Sequence, residues 1–296
     1  MGISRSRHCG RGVDPILAFG RGTGAVSLPL VGMALPATLR RTALGAVALA
    51  ALVAVTPGPA PVVRPVADTT YPTNAAKIFR WGDAQFFDNF ISPVKPMWSV
   101  NQPRLVRDQH GMLTINATAT SGTVSARLTG HNRQYGRWEA RVRAEQYTST
   151  GTPYHVVWEL VPTSGYHCGA RSIVLADYAL GTSEAHLYLR NTPSTELTAS
   201  KALTLGPGPF HTYAVEVTKD HISWFVDTHV LMTERRPEAR TGATYAVRFR
   251  LVGTPGAQMN PGRMQMDWVR YYSLARPNAQ SVEAPAATAG TYAAAC

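Results

Sequence analysis

The stretch GRWEARVRA, residues 136–144, sets Trp138, Ala140, Val142 and Ala144 in alternation with Arg137, Glu139, Arg141 and Arg143. A repeat of two is that of a strand with one face buried and the other wet. The same repeat recurs outward from this stretch. HTYAVEVT (211–218) puts Tyr213, Val215 and Val217 on one face, HISWFVD (221–227) does so with Ile222, Trp224 and Val226, and YAVRFRLV (245–252) sets Val247, Phe249 and Leu251 against Arg248 and Arg250. SGT, KDH, GPGP and TPG separate such runs at short intervals, and no stretch after residue 68 holds a helical period for three turns. Short strands with frequent turns predict an all-β chain, two antiparallel sheets closed into a sandwich. No interior linker breaks residues 68–274, which read as one domain. The Ala/Pro-rich end, residues 275–296, reads as a disordered tail.

The N-terminus has a different character. From Met33, a basic pair at Arg40 and Arg41 precedes an apolar run over residues 42–55, followed by Pro, Gly and Ala. This is a secretory signal layout, and the run is shorter than the roughly 20 residues that span a bilayer. Residues 1–56 are therefore read as leader and signal peptide, with Met33 a candidate start. The arginine pair also fits twin-arginine export. Residues 57–67 form a Pro-rich linker, and the product is expected to be secreted or held at the cell envelope. Of 29 Lys and Arg, seven precede Asp68, against one of 18 acids, which leaves 22 bases, 17 acids and a net charge of +5. These bases are scattered and do not interleave with aromatics, which argues against nucleic acid as a partner. Cys168 and Cys296 have no zinc-site spacing, and the Ala-rich tail gives no geometric support for a bridge between them.

Several segments together resemble glycoside hydrolase family 16, the laminarinase and β-glucanase family. FFDNF (86–90) with MWSV (97–100) resembles its opening strand, and SARLTGHNRQYGRWEARVRA (125–144) its Gly-Arg-Phe-Glu-Ala-Arg core. GTPYHVVWELV (151–161) is similar to a cleft strand, with Trp158 at the family's tryptophan position. FHTYAVEVTKDHISWFVDTHVL (210–231) resembles its His-Thr-Tyr and Val-Asp-Gly hairpin, with Thr228 in place of glycine. MQMDWVRYY (264–272) resembles the closing strand. The resemblance implies a concanavalin A-like jelly roll and polysaccharide or cell-envelope glycan as partner; a monomer is expected.

It also implies Glu-x-Asp-x-x-Glu, or the shorter Glu-x-Asp-x-Glu, on one cleft strand. In HCGARSIVLADYAL (167–180) the longer register falls on Ser172, Val174 and Asp177, the shorter on Ile173, Leu175 and Asp177. Asp177 is the acid in both. A retaining glycosidase needs two carboxyl groups about 5 to 5.5 Å apart, and serine without a base is a poor nucleophile. The standard site is therefore read as lost, with sugar binding left to aromatic faces and a few hydrogen bonds. By resemblance Trp158 and His186 belong to the cleft, and Tyr154 and Tyr178 are further candidates; for each, core packing is the alternative. Glu159, next to Trp158, is then expected on the opposite, convex face. Arg248 and Arg250 share one face: turned inward they would grip an acidic glycan, turned outward they are a solvated surface. No cofactor is expected; Asp267 matches a position near a structural calcium, and one carboxylate is thin support for that ion. Three readings stay open: a polysaccharide-binding protein, a hydrolase or transglycosylase with rearranged residues including Asp177, and a module that binds something other than carbohydrate.

Overall fold

The computed structural model describes residues 74–91, 93–165, 170–192, 195–277 and 284–291. The leader, signal-like run and linker (residues 1–67) lie outside them, as do Cys168 and Cys296. One four-residue helix, Ala75–Ile78, precedes the strands. In chain order these are β1 Phe86–Asp88, β2 Trp98–Val100, β3 Val106–Asp108, β4 Leu113–Ala117, β5 Val124–Leu128 and β6 Gly136–Gln146. Next come β7 His155–Pro162, β8 Ile173–Ala179, β9 Glu184–Thr192, β10 Thr195–Ala202 and β11 His211–Val217. The last are β12 Ile222–Val226, β13 His229–Glu234, β14 Tyr245–Val252, β15 Gly262–Tyr272 and β16 Thr288–Thr291. No helix among the described residues is long and apolar enough to cross a membrane.

The strands form two antiparallel sheets of eight. The first runs β13-β12-β11-β6-β15-β4-β3, with β1 also paired to β15; the second runs β16-β10-β9-β8-β7-β14-β5-β2. The alternation read from the sequence sets their inner faces. Trp138, Ala140, Val142, Tyr213, Val215 and Trp224 of the first sheet share one core with Val247, Phe249 and Leu251 of the second. Each large side chain buried there contributes about 2–3 kcal/mol. The sheets are also joined by a hydrogen bond, from the Trp224 indole Nε1 to the Val174 carbonyl at 3.1 Å.

Two parts differ from the sequence reading. The outer face of β6 is not uniformly wet, because Ala75, Ala76 and Trp81 pack with Ala214, Phe225 and Tyr272 into a second apolar layer over one end. That layer covers Glu139, whose Oε1 accepts from the Ala76 amide at 3.3 Å. Residues 284–291 also depart from the disordered tail expected of them. Here β16 pairs antiparallel with β10, the Thr233 amide donates to the Pro285 carbonyl at 2.8 Å, and Ala287 is buried. Main-chain pairing needs no apolar side chains, and it covers an otherwise open sheet edge.

Candidate functional site

The middle of the second sheet carries the site, and a bulge in β8 decides which residues it shows. Against β9, Val174 faces Tyr188 and Asp177 faces His186, so three steps on β8 match two on its partner. Against β7, Trp158 lies opposite Ala176 and Glu159 opposite Val174. The surplus step turns both Leu175 and Ala176 into the core and returns Val174 and Asp177 to the outer face. Strand alternation carries Ser172 to that face too. Val174 and Asp177 of the longer register thus share the outer face, while Ile173 and Leu175 of the shorter one point into the core.

Asp177 stands at the edge of a groove of about 920 Å³, lined among others by His155, His186, Tyr188, Arg190 and Glu196. Its Oδ1 lies 3.0 Å from His155 Nδ1, and its Oδ2 accepts from the Tyr188 hydroxyl at 2.6 Å. Burial alone would raise the Asp177 pKa, but these two bonds and the charges of His155 and Arg190 outweigh it and hold the carboxyl below its usual range. His155 moves the other way: the bond to Asp177 favours its imidazolium against the opposing effect of burial. The Tyr188 hydroxyl is pushed well up, by burial first and then by the Asp177 charge. Glu196 is also raised by burial, while Arg190, 3.4 Å away, limits the rise. The Arg190 guanidinium lies over the Tyr188 ring, 4.7 Å from its centre. Together they make an aspartate held low with both oxygens engaged, in one groove with a glutamate that burial raises.

Three of the proposed groove aromatics belong to the core. Trp158 is fully buried, stacked on Phe249 at 5.7 Å and edge-on to Tyr213 at 6.4 Å. Tyr154 is fully buried, its hydroxyl donating to the Thr118 carbonyl at 2.7 Å. Tyr178 borders the groove, yet its ring joins the core, where burial raises its pKa. Since Trp158 points inward, Glu159 faces outward on the groove side, the reverse of the convex placement expected. It is 1% exposed beneath Arg248 and Arg250, whose Nε atoms donate to its Oε1 at 3.0 and 2.6 Å.

His186 is exposed and lines the groove. Asp267 is taken by Arg141 at 2.8 Å, and among the described residues no three His, Cys, Asp or Glu converge on a metal position. His155, Tyr188, Arg190 and Glu196 were not singled out from the sequence. The alternation in SEAHLYLR places Tyr188 and Arg190 on the face of His186 and would have found two of them; His155 and Glu196 needed the strand register.

No protein-family model and no curated protein matches the sequence. Solved structures do. SCLam, a non-specific endo-β-1,3(4)-glucanase from family GH16, superposes with a TM-score of 0.54 at 18% identity, over 64% of this chain and 91% of that one. The laminarinase from Rhodothermus marinus gives 0.53 at 18%, over 64% and 97%. That from Flavobacterium sp. UMI-01 gives 0.52 at 17%, over 64% and 100%. The chain has the fold of the family 16 β-glucanases, a jelly-roll sandwich of two antiparallel sheets.

Proposed function

We propose that this is an exported glycan-binding protein on a β-glucanase-like scaffold, with a groove that holds polysaccharide without retaining hydrolysis. The observation that carries this reading is the groove strand itself. Ser172, Val174 and Asp177 stand where two catalytic glutamates and an aspartate would be needed, and both Asp177 oxygens are already bonded. A double displacement has no attacking carboxylate there. Asp177 is also one methylene shorter than glutamate, which draws its carboxyl back by roughly 1.5 Å, about one C–C bond. Binding does not need those groups. A serine-for-glutamate variant of SCLam was crystallised with an oligosaccharide at its active site. Export rests on the signal-like residues 33–56.

Incubation with insoluble β-1,3-glucan and with mixed-linkage glucan tests the reading. Retention of the protein with no release of reducing sugar is expected; sugar release abolished by Asp177→Asn would overturn it. One observation favours a second reading. Asp177, held low, and Glu196, held high, line one groove, the division that an inverting hydrolase needs between base and acid. Under that reading Glu196→Gln and Asp177→Asn each abolish release. A chain that binds no glycan at all would favour an interaction module of another kind.

A further inference from the structure

We propose that the same outer face reads an anionic substituent, carboxylate or sulfate, on the glycan through Arg127, Arg248 and Arg250 set around Glu159. The inference rests on the reading of the groove as a glycan site and names the kind of polymer it takes.

Strand register assembles the cluster. Arg248 on β14 lies opposite Glu159 on β7 and, on its other side, opposite Arg127 on β5. Arg250 shares the face of Arg248 and bonds the same Glu159 oxygen. Strands β2, β5 and β14 contribute no acid, and β7 contributes Glu159 alone. On these four strands three guanidiniums stand against one carboxylate, and arginine keeps its charge at any working pH. Like charges directly across a ladder are destabilising, so the arrangement favours an arriving anion.

Glu159 also makes the cluster a built site. Its buried carboxylate holds two guanidiniums by Nε, and on Arg250 that bond takes one of five donors while the side chain stays 21% exposed. A guanidinium fixed at Nε presents a planar fork, the shape that matches carboxylate or sulfate oxygens in pairs. The cluster is continuous with the groove. Arg250 lies opposite Val157, which lies opposite Asp177, two strand spacings or about 10 Å away. A polymer lying across the strands over Asp177 would therefore meet Arg250.

The test compares polymers that differ in charge. The chain is titrated with polygalacturonate and methyl-esterified polygalacturonate, with dextran sulfate and dextran, and with neutral β-1,3-glucan. The expected result is at least tenfold tighter binding to one acidic polymer than to its neutral counterpart; which pair shows it tells carboxylate from sulfate. Arg127→Ala, which leaves the bonds to Glu159 in place, should remove most of that preference. Arg107→Ala removes the same charge from an exposed position on β3 and should not. Inorganic sulfate should raise the melting temperature of the unaltered chain and not that of Arg127→Ala.

Equal binding of acidic and neutral polymers, or equal losses in the two variants, would overturn the inference while retention on neutral glucan leaves the glycan reading standing. Conversely, binding of no polymer together with sulfate stabilisation that depends on Arg127 would remove the glycan reading and keep the anion site. Failure of both measurements removes both.

Discussion

Glu139 is fully buried under the N-terminal segment, and burial raises its pKa from 4.5 to about 7, with the Ala75 and Ala76 amides and Arg270 limiting the rise. A carboxyl whose folded value lies above its unfolded one binds more proton when folded. Its contribution is therefore fully present below pH 4.5 and is lost as pH climbs through about 7, by about 3 kcal/mol in all. Urea denaturation at pH 5 and pH 8 should show this fall in the unaltered chain, and Glu139→Gln should remove most of it; parallel behaviour of the two chains would contradict a protonated Glu139. A second pair of substitutions separates core from groove. Trp158→Ala should cost about 3–5 kcal/mol, as a buried aromatic does. His186→Ala should leave the melting temperature within a degree or two and weaken retention on glucan. Alternation in VVWELV says that Trp158 and Glu159 lie on opposite faces, but it does not say which face is the groove. The resemblance assigned the tryptophan to the cleft, and packing against Phe249 and Tyr213 assigns it to the core.

At the scale of elements, the β8 bulge and the β16 edge make separate predictions. Deleting Leu175 removes the surplus step, restores simple alternation and leaves Asp177 on the outer face. The deletion should cost about 2–4 kcal/mol for the lost core side chain and preserve the contact between His155 and Asp177. An unchanged histidine titration by NMR would show that contact kept, and a return of His155 to an ordinary value would mean that Asp177 had left the face. Ending the chain after residue 277 removes β16 and uncovers β10. A lower denaturation midpoint and more light scattering are expected, because an open edge pairs with other chains. Strands such as β6, β11, β12 and β14 were legible because each buries one face against the opposite sheet. The bulge was not, since IVLADYA supports both registers until β9 sets the pairing. The tail strand was hidden because small residues pair through main chain alone.

For the whole molecule, the sandwich was the most legible feature, and the chain has that fold at 17–18% identity to the laminarinases and glucanase compared. A motif list conveys which strands exist, while the direction of each face depends on how two sheets close on each other. Closure also links the groove to the interior. The Trp224 indole of the first sheet bonds the carbonyl of Val174, whose side chain stands on the groove side of the second. This makes the protein its own optical reporter. A saccharide pressing on β8 would disturb the environment of that indole, so titration should change intrinsic emission in step with occupancy, without an attached dye.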